Sequence, residues 1–179
     1  MSEKIVIRRI ENSDAEEWVK LKDMVWRSSY SEVFPEEVFR DQESRLEERI
    51  ETFKNRNLNK NGHIGFVATI NKKIIAFADG TTLSWYDHYR QLGYADLGGI
   101  YINPDYQHLG LGRRLFDKVV KEFKKLGCDK LVIGVLKANA QARNAYKKWG
   151  AKMDDKYEKP FVKLGVEYPE VFYLYQIKK

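Results

Sequence analysis

The segment Ile100–Leu115 places a short strand, a loop with two glycines and the start of a helix in direct succession. The strand pattern stops at Asn103-Pro104, because proline removes a hydrogen-bond donor and favours a turn. From Leu111 to Leu126, apolar residues recur at helical spacing with charged residues between them. The first amides of a helix lack internal partners and lie at the positive end of its dipole. The segment therefore predicts either an ordinary glycine turn or a loop that cradles a phosphate group.

The two glycines of this loop, Gly110 and Gly112, let a backbone approach an anion where a side chain would obstruct it. They do not fit two familiar phosphate loops. A P-loop needs Lys and then Ser or Thr after its last glycine, and here Arg113 and Arg114 follow. A dinucleotide fingerprint needs glycine or alanine three residues after its second glycine, and that position is Leu115. A phosphate site here would belong to a third class.

Composition sets the class of protein. With 179 residues, the chain is long enough for a single domain over 1–179 with a substantial core. It has no apolar run that could span a membrane, and its first residues lack a signal-peptide core. Cys128 is the only cysteine, which fits a reducing cytoplasm, where we expect the protein. The net charge of +6 suits an anionic ligand, but the lysines are too scattered to predict a dedicated nucleic-acid surface.

Hydrophobic periodicity predicts alternating strands and helices along the whole chain. Ser13 and Glu16 form a predicted capping box for the first helix, and polar loops are predicted at 55–62 and Ser84–Gln91. The predicted elements are strand Lys4–Ile10, helices 15–29 and 35–53, strands Ile64–Ile70, Ile74–Thr82 and Ala95–Ile102, a helix from Leu111, strand Lys130–Leu136, helix Ala140–Lys148, and strands Lys152–Glu158 and Val171–Lys179, the last two joined by Lys159–Glu170. This order predicts an α/β fold with a mixed, mostly antiparallel central sheet and helices on both faces.

Two local features stand beside the glycine loop. Gly98 and Gly99 lie within the predicted strand before it, where glycine marks a bulge or a close backbone approach. After it, Asn139 is a good N-cap for the helix Ala140–Lys148. Tyr146 lies seven residues after Asn139, close to two helical turns, so both side chains share a face. From its spacing alone, Tyr146 is either a packing aromatic or a site residue.

The run I-Y-I-N-P with Q-x-x-G-x-G over 100–112, and N-A-Q-A-R-N-A-Y-K-K-W-G-A over 139–151, resemble the motifs of the Gcn5-related N-acetyltransferase (GNAT) superfamily. The resemblance covers roughly Ala95–Gly150. It implies the acyl-CoA N-acyltransferase fold, with acetyl-CoA as co-substrate. It also implies that the loop holds the pyrophosphate and that the bulged strand bonds the pantetheine arm. The implied CoA contacts are Ile100, Tyr101, Ile102, Gln107, His108, Leu109, Gly110, Leu111, Gly112, Arg113, Asn139 and Tyr146.

The resemblance further implies direct attack of a neutral primary amine on the thioester in a ternary complex. Tyr146 is the matched acid for the departing sulfur, since a phenol can donate a proton to a thiolate. Asp96 lies where many relatives carry a glutamate and is the candidate base, acting through a water molecule. It can equally be a solvated or sheet-edge carboxylate, and Asp79 and Asp87 are the alternatives. The three histidines show no metal-ligand spacing, so no metal is predicted.

The acceptor is less constrained than the donor. In the resembled family, two helices after the first strand shape the acceptor pocket, which implies contacts from Trp26, Arg27, Tyr30 and Glu32. Trp85 is a further candidate, because its loop is aromatic and polar. Core packing and solvated charges explain the same residues. We expect a small-molecule amine acceptor and a monomer or homodimer. The alternatives are a protein N-terminus or lysine as acceptor, or a non-catalytic acyl-CoA-binding regulatory module.

Overall fold

The computed structural model describes residues 4–56 and 62–178. Short 3-10 turns at Asn12–Asp14 and Pro104–Tyr106 precede the first helix and the glycine loop. The strands and helices are β1 (Val6–Arg9), α1 (Ala15–Tyr30), α2 (Glu36–Ser44), α3 (Leu46–Asn55), β2 (His63–Ile70), β3 (Lys73–Thr81), α4 (Asp87–Gln91), β4 (Ala95–Ile102), α5 (Leu111–Lys125), β5 (Lys130–Leu136), α6 (Ala140–Lys148), β6 (Lys152–Asp154), β7 (Phe161–Lys163), β8 (Val166–Tyr168) and β9 (Glu170–Gln176). No helix among the described residues is long and apolar enough to cross a membrane.

Within the described residues, seven strands form one sheet in the order β1-β2-β3-β4-β5-β9-β6. Neighbours in this sheet are antiparallel except for β4 and β5, which run parallel. Side chains alternate between the two faces: Phe66 and Ala78 pack with α5, whereas Val67 and Phe77 pack with α1 and α3. The predicted mixed, mostly antiparallel sheet with helices on both faces is confirmed.

A bulge in β4 and a divergence from β5 interrupt this sheet at its centre. Asp79 pairs with Gly99, but its neighbour Gly80 pairs with Leu97, so Gly98 has no partner on β3. The predicted bulge is confirmed. The pairing of β4 with β5 also ends next to the bulge, since the last paired residues of these strands are Asp96 and Val132. The facing edges of β4 and β5 are therefore open for the rest of their length.

Gly80 makes close approach possible at the bulge. A Cβ atom at this position would lie 2.4 Å from the backbone oxygen of Asp96 and 2.8 Å from the ring of Phe123. Any side chain would therefore push β3 away from β4 or from the helix α5 that covers them.

The N-terminal capping box was predicted at the wrong residues. Glu11 and Asp14 form it: the Glu11 amide donates to the Asp14 carboxylate at 2.8 Å. Arg8 also grips that carboxylate through two nitrogens, each at 2.7 Å. This bidentate pair fixes Asp14 at the turn and leaves Ser13 without a capping role.

The predicted helix 35–53 is two helices. Arg45 lies between them with φ −106° and ψ 23°, outside helical geometry. Arg49 stabilises the break, since it donates to the Gln42 backbone oxygen at 3.0 Å and to Asp23 at 2.8 Å. One side chain thus satisfies the end of α2 and ties it to α1.

Three further predictions need correction. The predicted loop Ser84–Gln91 ends in the short helix α4, and the predicted strand Lys152–Glu158 stops at Asp154. The segment Lys159–Glu170 contains the hairpin β7–β8, which turns at Leu164 and Gly165, both with positive φ. Most of the predicted loop 55–62 lies outside the described residues.

Replacement of Gly80 by alanine should destabilise the protein by about 1–3 kcal/mol, because the added methyl overpacks the contact between β3 and β4. Alanine otherwise stabilises a strand relative to glycine, so intrinsic propensity acts in the opposite direction. Urea denaturation of the wild type and Gly80→Ala measures the change. An unchanged or increased free energy of unfolding would show that the bulge does not depend on close approach here.

Candidate active site

A cavity of about 960 Å³ lies where β4 and β5 diverge. Helix α1 closes one end, and α5 and α6 form the other walls. Sites for small molecules typically have volumes of roughly 300–1,000 Å³. The predicted site residues that line this cavity are Trp26, Tyr30, Ile100, Tyr101, Ile102, Gln107, His108, Gly110, Leu111, Gly112, Arg113, Asn139 and Tyr146.

The glycine loop places the first backbone amides of α5 at one end of the cavity, before the hydrogen-bond ladder of the helix begins. Gly110 is the N-cap of α5 and has the left-handed conformation, with φ 73°. The Arg114 amide donates to the Gly110 oxygen at 3.2 Å, so the amides of residues 111–113 precede the hydrogen-bond ladder of the helix. The helix dipole adds partial positive charge at the same point. The arrangement suits an anionic group such as a phosphate.

The two glycines of the loop have different physical roles. Gly110 has no atom within 4 Å of an added Cβ, so its requirement for glycine is the positive φ. At Gly112, an added Cβ would lie 3.2 Å from Trp149 and 3.3 Å from Ile102. Gly112 is therefore needed for tight packing of α5, and the prediction that it clears space for an anion applies less well to it.

Asn139 joins the two ends of the cavity. Its side-chain oxygen accepts from the Ala142 amide at 3.0 Å and caps α6, as predicted. Its side-chain nitrogen donates to the Tyr30 hydroxyl at 2.8 Å, which ties α6 to α1. On the opposite side, Gln141 donates to Gln107 at 3.1 Å and ties α6 to the glycine loop. These contacts hold three separate parts of the chain around one space.

Tyr146 presents a hydroxyl group that has no hydrogen-bond partner among residues 4–56 and 62–178. Its side chain is buried, and its ring packs edge-on against Trp149 at 5.7 Å. Burial raises the pKa of the Tyr146 phenol above its ordinary value, so the hydroxyl keeps its proton at neutral pH. The group is a proton donor that faces the cavity.

Asp96 lies outside the cavity lining. Its side chain is 1% exposed and accepts hydrogen bonds from Ser84 Oγ at 2.6 Å and from the Trp85 amide at 3.3 Å. Burial raises the pKa of Asp96 to about 7, and these two bonds oppose the rise. The carboxylate accepts the bonds that hold the turn before α4, and it does not line the cavity. Its catalytic role stays a prediction that the geometry does not favour.

The alternative bases are also placed elsewhere. Asp79 is buried beneath the bulge, 3.8 Å from Arg56. Asp87 is paired with Arg90 at the start of α4. Neither carboxylate lines the cavity.

The predicted acceptor contacts divide into two groups. Trp26 and Tyr30 form an aromatic wall at the α1 end, where Trp26 stacks on Phe34 at 5.3 Å. Trp85 is 47% exposed and packs over Gly98, outside the cavity lining. The remaining predicted contacts, Arg27, Glu32 and the CoA contact Leu109, are also outside this lining; Arg27 forms ion pairs with Glu36 and Glu43.

Two charged residues that line the cavity, Glu170 and Lys22, were missed from the sequence. Glu170 lines the cavity at the start of β9 and accepts a hydrogen bond from the Tyr86 hydroxyl at 2.8 Å. Lys22 lines it from α1, with its Nζ 5.1 Å from the ring centre of Trp18 and 5.6 Å from that of Tyr101. Burial lowers the pKa of Lys22 and raises that of Glu170. No sequence motif marks either residue: Tyr86 lies 84 positions from Glu170, and Tyr101 is likewise remote from Lys22 along the chain.

Within the described residues, no cluster of three or more His, Cys, Asp or Glu side chains could hold a metal ion. The polar groups that line the cavity are backbone amides, tyrosine hydroxyls, the side-chain amides of Asn and Gln, and isolated charged side chains. Such a set suits an organic anion at the α5 end and a polar organic molecule at the α1 end.

Comparison with known proteins decides the family. The sequence profile described as the Acetyltransferase (GNAT) family matches residues 18–151. The chain belongs to this GNAT family. Its match covers most of helix α1, the bulged strand, the glycine loop and α6, and it therefore contains most of the cavity described above.

Individual relatives agree with this assignment. Over 88 aligned residues, the chain is 34% identical to the ribosomal protein bS18-alanine N-acetyltransferase of Escherichia coli K12. The aligned segment makes up 49% of this chain and 54% of the relative. The chain thus spans about half the length of that relative.

Two solved structures share the fold over nearly the whole chain. PaiA N-acetyltransferase of Thermoplasma acidophilum, solved with coenzyme A, has a TM-score of 0.68 at 20% identity, covering 94% of this chain and 98% of its own. The S18-alanine N-acetyltransferase structure from Escherichia coli has a TM-score of 0.69 at 21% identity, covering 98% and 96%. At this identity the likeness concerns the fold.

Replacement of Gly110 by alanine should weaken CoA binding by roughly tenfold or more, because a side chain disfavours the left-handed conformation that aims the loop amides. Gly127→Ala is the matched control. Gly127 ends the same helix with φ 83°, also has no atom within 4 Å of an added Cβ, and lies away from the cavity. Isothermal titration with CoA should show the loss in Gly110→Ala alone. Equal affinities in both variants would contradict an amide cradle at this loop.

Proposed function

We propose that this chain transfers the acetyl group of acetyl-CoA to a primary amine. One observation carries the proposal: a single cavity joins the unpaired amides of α5, the open edge of β4 and an aromatic end that contains a carboxylate. The first two features suit a long anionic donor, and the third suits a cationic acceptor. Membership of the GNAT family supports the same reaction.

The donor half of the cavity fits acetyl-CoA by its chemistry. The amides of residues 111–113 and the N-terminal dipole of α5 would hold the pyrophosphate. The edge of β4 that β5 leaves open offers peptide groups to the amide-containing pantetheine arm. Backbone amides of this edge, around Ile100–Ile102, are also suited to polarise the thioester carbonyl. When bound, acetyl-CoA supplies an activated acyl group with a thiolate leaving group.

The chain contributes position and proton transfer. Holding both reactants in one cavity can contribute roughly 7–11 kcal/mol to lowering the barrier. Tyr146 keeps its proton at neutral pH, and its hydroxyl has no partner among the described residues, so it can protonate the sulfur as the C–S bond breaks. A non-catalytic acyl-CoA-binding module would have no need for such a donor in the cavity.

The acceptor in this proposal is a small amine. The hairpin β7–β8 packs over the aromatic end. The ring centres of Phe161 and Trp26 lie 5.8 Å apart, and those of Tyr168 and Phe34 lie 4.5 Å apart. Lys163 of this hairpin bonds Asp41 of α2 at 2.9 Å and fixes the cover in place. A covered aromatic end favours a compact acceptor over an extended peptide.

A protein N-terminus is the second candidate acceptor. The observation that favours it is the relative named as a bS18-alanine N-acetyltransferase, although the match covers about half of that protein. Ribosomal substrates would also agree with a cytoplasmic location, which the single cysteine supports.

Release of free CoA in the presence of acetyl-CoA and an amine panel tests the function. The panel contains polyamines, amino acids, aminoglycosides and peptides with N-terminal alanine. We expect turnover with one or more small amines that exceeds turnover with peptides. Preference for the peptides would replace the acceptor proposal, and no transfer to any amine would favour a binding module.

Replacement of Tyr146 by phenylalanine should lower kcat by about 10²–10⁴-fold, since it removes the proton donor for the leaving sulfur. Affinity for acetyl-CoA should change little, because the ring remains. Tyr175→Phe is the matched control: Tyr175 is half-buried, packs on Phe116 and lies outside the cavity lining. Steady-state kinetics with titration of acetyl-CoA separates rate from binding, and unchanged turnover in Tyr146→Phe would remove it as the acid.

A further inference from the structure

Glu170 reaches the cavity from the strand on the far side of β5. β5 and β9 are antiparallel, with Leu136 opposite Glu170 and Gly134 opposite Phe172. Because side chains alternate along a strand, these four positions lie on the same face of the sheet. Gly134 and Glu170 both line the cavity.

The missing side chain at Gly134 makes room for Glu170 and Tyr86. A Cβ atom at position 134 would lie 2.3 Å from the Tyr86 hydroxyl and 2.9 Å from Glu170 Oε1. A side chain from β5 and the Tyr86–Glu170 pair cannot occupy this place together. The carboxylate that faces the cavity at this point therefore comes from β9.

The carboxylate is anchored through one oxygen only. The Tyr86 hydroxyl donates to Glu170 Oε1 at 2.8 Å, and the Tyr86 ring packs edge-on against Phe172 at 4.7 Å. Over residues 4–56 and 62–178, Oε2 accepts no hydrogen bond, and no cation lies within ion-pair distance of Glu170. An unpaired carboxylate in a half-buried position is costly unless a cation binds there.

We propose that Glu170 binds the ammonium group of the acceptor and takes one of its protons, an inference that rests on the acetyl-transfer function proposed above. Trp26 and Tyr30 line the same cavity, and aromatic rings of this kind also attract a cation. Tyr86 is the positioning residue, since it fixes the carboxylate and leaves Oε2 for the ligand.

The proton balance of the reaction follows. One ammonium proton passes to Glu170, and the freed nitrogen lone pair forms the new N–C bond with the thioester carbonyl carbon. The C–S bond then breaks, and the sulfur receives the Tyr146 proton. The nitrogen then loses its second proton, which passes through water to the Tyr146 phenolate and restores the Tyr146 hydroxyl. Glu170 returns its proton to water, so one proton is released in each turnover.

The electrostatic surroundings suit a base. Burial raises the pKa of Glu170, while the Tyr86 hydrogen bond and the positive charge of Lys159 oppose the rise. The other titratable groups that interact with it are Asp96 on β4 and Tyr30 on α1. A raised carboxylate pKa lies closer to the pKa of the ammonium group, which makes proton transfer between them easier. The reaction rate should therefore fall as the pH drops below the Glu170 pKa.

Glu170→Gln tests the proton transfer, using the best acceptor from the amine panel. The amide keeps the shape and can still accept from Tyr86, but it cannot take a proton. We expect kcat/KM for the amine to fall by about 100-fold or more and the acidic limb of the pH profile to disappear. Affinity for CoA should not change. Glu167→Gln, at an exposed carboxylate of β8 outside the cavity lining, is the matched control.

Tyr86→Phe tests the positioning role. Loss of a hydrogen bond that lowers the carboxylate pKa should move the acidic limb to higher pH, which a purely structural role would not do. The proposal is overturned if Glu170→Gln keeps the acidic limb of the pH profile. Removal of that limb by Asp96→Asn would then assign the base to Asp96.

A binding measurement separates this inference from the proposed function. Wild-type protein saturated with CoA should bind benzylamine, a cation at neutral pH, at least tenfold more tightly than benzyl alcohol, its neutral analogue. Glu170→Gln should lose that preference. Equal binding of the two probes by the wild type overturns the ammonium site whether or not transfer occurs. Absence of transfer to every amine overturns the proposed function and the proton step, whereas a preference that depends on Glu170 would still support the ammonium site.

Discussion

The bulge at Gly98 is the constraint on which the rest of the site depends. One residue without a partner on β3 turns the second half of β4, and pairing with β5 ends at Asp96 and Val132. Peptide groups at the centre of a sheet normally satisfy one another. Here two strands leave their facing groups open, at a cost in stability that a ligand with amide groups can recover. The fold thus leaves peptide groups of β4 and β5 available for hydrogen bonds to a ligand.

The helices around the opening are tied to one another by polar contacts between side chains. Asn139 bonds Tyr30 at 2.8 Å, and Gln141 bonds Gln107 at 3.1 Å. The first contact connects the start of α6 to α1, and the second connects α6 to the glycine loop. A shift of α6 would therefore be felt at both ends of the cavity. The two sequence motifs, at 100–112 and 139–151, are therefore in contact with each other and line one cavity.

Local patterns predicted the features that depend on neighbours in sequence: the bulge from Gly98 and Gly99, the N-cap Asn139 and the glycine loop before α5. Features that depend on remote partners were missed. The capping box is a local exception: Glu11 and Asp14 form it, and Arg8, a close neighbour in sequence, pairs with the Asp14 carboxylate. Glu170 was not found because its partner Tyr86 lies 84 positions away along the chain. The candidate base Asp96 illustrates the same limit, since its strand position is predictable but its hydrogen bond with Ser84 is not.

Chemical-shift mapping of backbone amides during titration with CoA tests the central claim, that the donor lies along the open edge of β4 with its pyrophosphate at the start of α5. Amides of residues 97–102 and 110–113 should show the largest changes and should titrate with one dissociation constant. Changes that leave 110–113 and β4 unaffected, and that fall on another surface, would contradict the claim.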